Sequence, residues 1–262
     1  MQEFVFLIGV ALVVVLLIVA CGVARLSSSL LHPRARSYAC SLVMEIYAYL
    51  SAPEKKDSFL LSLEPTLRER REMAEVVATL TRCVVECSPW RVRELVQAWQ
   101  LEEPLVRRSL ARGRRGRVAA MTTLLHLHPT ADATARIGRH FFGSAEESFA
   151  QLLLVVYTSP RSVAELLSRH PHALSWDSIR QVVEVLKMRF ARLPELEFDS
   201  LRGGYNVEML ALYLSSVEGV GSAREVAEGL TTHPNATLRT AAFNVLLGEN
   251  LFPPLERNNI GS

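Results

Sequence analysis

The sequence predicts an all-α chain in which a single N-terminal transmembrane helix leads into a stack of paired helices. Three observations predict it. Phe4–Val23 is apolar throughout, apolar residues from 114 onward recur at helical spacing between breakers, and two segments carrying His-Pro align without gaps. No stretch shows the alternation of a half-buried strand.

Phe4–Val23, FVFLIGVALVVVLLIVACGV, runs for twenty residues without a charged side chain. As a helix rising about 1.5 Å per residue, it matches the roughly 30 Å hydrocarbon layer of a bilayer. Its fourteen Phe, Val, Leu and Ile residues up to Val19 favour insertion by about 6 kcal/mol. Phe4, Leu12, Leu16 and Val23 mark the span. A cleaved secretory signal fits less well, because Met1-Gln2-Glu3 offers no Lys or Arg. Ile18-Val19-Ala20-Cys21-Gly22 also resembles a lipobox, which would put a lipid on Cys21 and the domain in the periplasm. The acidic start and the long apolar run favour an uncleaved anchor. Arg25, Arg34 and Arg36 follow the span, and only Glu3 precedes it. The expected layout is a single pass of a bacterial inner membrane, with the N-terminus outside and the C-terminal domain cytoplasmic.

Residues 1–31 are therefore the anchor and juxtamembrane segment, and 32–113 a helical linker with N-terminal capping helices. Within the linker, His32-Pro33 marks a boundary. Arg34–Leu50 carries Tyr38, Leu42, Ile46, Tyr49 and Leu50 on one stripe, expected near the membrane surface because Tyr prefers that region. SAPEKKD at 51–57 is a polar loop. A helix is expected over Pro65–Cys87, with Pro65 in its first turn. Another is expected over Pro89–Trp99, with Ser88 as N-cap and Pro89 at N1.

Residues 114–252 hold the repeats, and 253–262 form a tail. Phe149, Leu152, Leu153, Val156 and Tyr157 make one stripe. Ile179, Val182, Val183, Leu186 and Phe190 make a second; Leu238, Ala241, Ala242, Val245 and Leu246 make a third. Val163–Ala173 (VAELLSRHPHA) lies over Val226–Ala236 (VAEGLTTHPNA), and Leu127-His128-Pro129 begins a weaker copy. The His-Pro pairs stand 42 and then 63 residues apart, an excess assigned to an insertion at Ala191–Gly204.

A two-helix unit of this period resembles the HEAT and armadillo repeats. In Val163–Leu186 and Val226–Leu247 a helix, a Pro-bearing turn and a striped helix follow one another, with Arg180 and Arg239 standing for part of the usual ladder of Asp and Arg. The resemblance covers roughly Arg114–Leu251. It implies a right-handed α-solenoid that binds other proteins and has no catalytic residues; one helix pair cannot bury its stripe alone, so neighbours stack.

The net charge of +2 gives no strong global attraction for nucleic acid. Cys21, Cys40, Cys83 and Cys87 show no disulfide framework, which fits a reducing compartment. Cys83 and Cys87, one turn apart, could share a metal with His126 and His128 or with His170 and His172. Their reading as buried structural cysteines is preferred, and no metal or cofactor is expected. The His-Pro histidines read as helix-end caps. Arg107, Arg108, Arg112, Arg114, Arg115 and Arg117 form the densest basic cluster. It is read first as a solvated junction pairing with Glu102 and Glu103, and otherwise as a contact for lipid head groups, an acidic partner or nucleic acid. Nucleic acid is the least favoured of these, and the lack of interleaved aromatics disfavours single-strand binding. There is no Walker loop, dinucleotide fingerprint, GxSxG or HExxH. No enzyme activity and no small-molecule substrate are expected. The function expected is scaffolding: holding a protein partner at the membrane, such as a polysaccharide-synthesising glycosyltransferase. The alternatives are a lipid- or nucleic-acid-binding module using the arginines, and a periplasmic lipoprotein.

Overall fold

The computed structural model describes residues 33–51, 59–83, 88–140, 142–189, 204–219 and 223–247, excluding the side chains of 33–40, 59, 67, 68, 161 and 223. The expected span with Phe4, Leu12, Leu16, Cys21 and Val23 lies outside these residues, as do Cys87, the expected tail and nearly all of the expected insertion at 191–204. Among the described residues no helix is long and apolar enough to cross a membrane.

Every regular element among the described residues is helical. In chain order these are α1 (Pro33–Ser51), α2 (Leu67–Cys83), α3 (Pro89–Ala98), α4 (Glu102–Leu110), α5 (Arg114–His126), α6 (Ala131–Gly138), α7 (Ala145–Thr158), α8 (Val163–Arg169), α9 (Trp176–Arg189), α10 (Tyr205–Ser216), α11 (Ala223–Leu230) and α12 (Ala236–Leu246). Short 3-10 turns cover Phe59–Ser62 and Pro160–Ser162. The chain divides into two compact units, 1–154 and 155–262, with the boundary inside α7.

In the first unit, α1 packs against α2 and α3. Its stripe of Leu42, Ile46, Tyr49 and Leu50 is buried there. The expectation that this face meets the membrane surface is corrected for Tyr49: its hydroxyl donates to Glu94 of α3, and the Arg91 guanidinium lies 4.7 Å from its ring centre. Burial, with Glu94 beside it, pushes the Tyr49 hydroxyl up to about 12. Trp99, just past α3, is fully buried and donates its indole N–H to the Leu60 carbonyl at 2.7 Å. α2 starts at Leu67, two residues after Pro65. Thr66 and Glu69 form a reciprocal capping box: the Glu69 carboxylate accepts from the Thr66 N–H at 2.8 Å, and the Thr66 hydroxyl accepts from the Glu69 N–H at 3.4 Å. α3 begins at Pro89 as predicted, although the Ser88 hydroxyl makes no capping bond. Cys83 ends α2 exposed, which corrects its reading as a buried residue.

α4 packs on α2, α5 and α6. Its first-turn carboxylates reach two residues of the α6 segment. Glu102 accepts from the Thr130 N–H and hydroxyl at 2.7 and 2.8 Å, and Glu103 pairs with Arg136 at 2.8 Å. Thr130 in turn caps α6 through the Ala133 N–H. The start of α7 carries a second capping pair, in which the Ser144 hydroxyl accepts from the Glu147 N–H at 3.3 Å.

In the second unit α10 is the hub, packing on α8, α9, α11 and α12. Asn206, Val207 and all of Met209–Ser215 are buried along it. A helix apolar on every side shows no stripe, which is why periodicity passes over it. The stripe of α9 (Ile179, Val182, Val183, Leu186) is buried, whereas in α12 only Leu238 and Ala242 of the expected five are. The aligned copies differ in packing: α11 lies directly on α12, while α8 and α9 are each held by α10. The side chain of Asn206 makes that junction. Its Oδ1 accepts from the Leu174 N–H at 2.8 Å, and its Nδ2 donates to the carbonyls of His172 at 3.0 Å and Leu167 at 3.3 Å.

Candidate functional site

The basic cluster is built by the turn joining α4 to α5. Gly113, at φ 109°, reverses the chain in a conformation that side-chain-bearing residues avoid, and α5 starts at the next residue. No side chain caps α5, and its first turn holds arginines and no carboxylate. Positive charge at a helix N-terminus opposes the macrodipole, so the arginines need anionic partners from elsewhere.

Two are supplied by α7. Arg114 pairs with Glu146 at 2.9 Å. The Arg117 Nε donates to Glu147 at 2.6 Å, and its Nη1 donates to the Ala111 carbonyl at 3.1 Å. Glu147 is buried. Burial pushes its carboxyl up, but the Ser144 hydroxyl and the Arg117 guanidinium outweigh this and hold it below the usual carboxylate range. Arg114 and Arg117 are thus structural ties between α5 and α7.

On the α4 side, Arg107 pairs with Glu103 at 2.7 Å. Glu103 also holds Arg136, and these two guanidinium groups, Arg136 first, lower its carboxyl to about 2. Arg108 reaches Glu75 of α2 only loosely, at 3.9 Å, and the same carboxylate lies 3.7 Å from Arg71. Arg112 and Arg115 are exposed and have no ion-pair partner among the described residues. The expectation of pairing with Glu102 and Glu103 is therefore half right. Glu103 serves Arg107, but Glu102 is taken by Thr130, and the other carboxylates come from α2 and α7. The Ser144-x-x-Glu147 spacing was a readable sign that Glu147 opens a helix; its pairing with Arg117 was not readable.

The other candidate residues do not converge. Among the described residues no group of three or more His, Cys, Asp or Glu is placed to hold a metal. His170 and His233 act on their own turns, through different partners: the His170 Nδ1 lies 2.9 Å from the His172 carbonyl, and the His233 Nδ1 accepts from the Asn235 N–H at 3.0 Å. With Nδ1 accepting, the His233 Nε2 carries the proton and faces Glu208 at 2.9 Å. Arg239 donates to the carbonyls of His233 and Pro234, and Arg180 pairs with Asp177 in its own helix. Neither arginine bridges one helix pair to the next in the way expected of a ladder. His126 faces a small polar cavity between α2 and α5, with Thr79, Arg82 and Thr123. Burial, helped by Arg82, pushes its imidazole down to about 4.

Compared with known proteins, the chain matches no family model, and neither a curated protein nor a solved structure shows significant similarity to it.

Proposed function

We propose that the chain is a membrane-anchored scaffold without enzymatic activity. Residues 4–23 cross a bacterial inner membrane once, and the helical region, stacked in the manner of HEAT repeats on the cytoplasmic side, holds a protein partner. The partner is itself a membrane protein or its cytoplasmic domain, a polysaccharide-synthesising glycosyltransferase being one example. The anchor reading is supported by the uncharged span and the arginines that follow it.

The observation that carries the binding reading is the outer face of α12. Phe243 and Leu247, one turn apart at its end, are 49% and 70% exposed. In the gapless alignment they stand where α9 has Arg180 and Glu184, both exposed. The two copies share the His-Pro turn sequence, yet one shows water two charged side chains and the other an aromatic and an aliphatic one. Adjacent exposed apolar residues on an otherwise polar face fit a protein contact.

The test is extraction of the full-length protein in mild detergent. A protein partner should co-elute in fixed stoichiometry, and the double variant Phe243→Asp, Leu247→Asp should lose it while keeping the parent's helical content and melting temperature. A wild-type chain that emerges alone and monomeric would overturn the scaffold reading.

A further inference from the structure

Three arginines of the cluster and one from α2 gather around one cavity. An open hollow of about 540 Å³ lies between α2, α4 and the first turn of α5, lined by Arg71, Arg107, Arg108, Arg112, Gly113 and Gly116. The sequence cluster contributes three of these guanidinium groups, and Arg71 joins from α2, more than thirty residues earlier. Arg114, Arg115 and Arg117 do not line the hollow.

Charge is unbalanced there. Four guanidinium groups share Glu75 and Glu103; Glu75 is 3.7 and 3.9 Å from its arginines, and Glu103 also serves Arg136. Arg112 is exposed and unpaired among the described residues. The uncapped start of α5 adds backbone N–H groups and the positive end of a thirteen-residue helix. At Gly116 an added Cβ would lie 3.6 Å from the Arg108 Nε, so the guanidinium rests against bare backbone. Planar guanidinium groups bind the oxygens of phosphate in pairs, and an apolar or neutral polar ligand would leave the excess charge unanswered.

We propose that this hollow binds a phosphate group. Arg112 and Arg71 grip its oxygens, Arg108 backs it, and the rest of the ligand extends through the open mouth into solvent. The site is independent of the partner contact on α12, so either can fail without the other.

The test uses the full-length protein in detergent, probed with inorganic phosphate by calorimetry and with vesicles of phosphatidic acid in phosphatidylcholine by flotation. Phosphatidylcholine vesicles set the background for flotation. Binding of inorganic phosphate identifies a site for soluble phosphate compounds; binding of the acidic vesicles alone identifies a lipid headgroup site. Either supports the proposal when Arg112→Ala and Arg71→Ala each weaken it at least tenfold. Arg115→Ala removes the same charge from outside the hollow and should change binding less than twofold. Failure of both probes to bind, or an equal loss in Arg115→Ala, would overturn the proposal, the latter by showing a diffuse basic surface. All three side chains are half or more exposed or lie at the surface, and matching melting curves will confirm that the variants fold.

Discussion

Replacing Asn206 by Ala tests the junction that holds the second unit together. The amide is buried at 6% exposure and satisfies three backbone groups, one amide N–H and two carbonyls, from the segment running from the end of α8 to the start of α9. Each neutral hydrogen bond contributes about 1 kcal/mol net, and a buried group left without a partner costs about 1–3 kcal/mol. The expected local loss is therefore about 3 kcal/mol, or roughly a hundredfold in an opening equilibrium. Amide hydrogen exchange at Leu174 reads that opening directly, because the Leu174 N–H is the group bound at 2.8 Å. Asn206→Ala should accelerate exchange there about a hundredfold while leaving Val92 and Leu95 in the first unit unchanged. Asn206→Asp keeps the acceptor and loses both donors, so Leu174 should retain part of its protection. Less than a threefold change in Asn206→Ala would refute the argument that this amide organises α8, α9 and α10.

Two further outcomes concern the first unit. The folded pKa of His126 is depressed to about 4 from an ordinary 6.5, so the unfolded chain binds the extra proton between those values. Stability should be full above about 6.5 and fall as pH drops to about 4, by up to about 3 kcal/mol. In His126→Gln, urea midpoints should lose that part of the slope; an unchanged slope would count against burial of a neutral imidazole. Gly113→Ala meets no atoms within 4 Å but must hold φ 109°, so thermal unfolding should show a cost of roughly 1–3 kcal/mol from backbone strain alone.

What the sequence made legible is what repeats locally. Stripes such as Ile179, Val182, Val183 and Leu186 put helices where they are, because one buried face every 3.6 residues leaves a pattern in the chain itself. The start of α2 was also written locally, in Thr66 and Glu69, but Pro65 drew the boundary two residues early. α10 escaped because burial on all sides erases the pattern, so its residues look like an interruption between two copies of a repeat. Cys83 looked like part of an apolar stripe, yet the last turn of α2 points it outward. The arginine run was plain as composition. Its division into ties to α7 and a group around a hollow depends on Glu146, Glu147, Arg71 and Glu75, which only tertiary folding brings near.

The account rests most heavily on residues 4–23 as an uncleaved anchor with the helical region on the inner side. The exposed thiol of Cys83 makes this measurable. With Cys40 and Cys87 changed to Ser, a membrane-impermeant maleimide should leave Cys83 unlabelled in intact spheroplasts and label it fully in inverted membrane vesicles, with the protein recovered in the membrane fraction. Labelling in the spheroplasts, or recovery of the full-length chain free of membranes, would contradict the anchor and the side on which the helices lie.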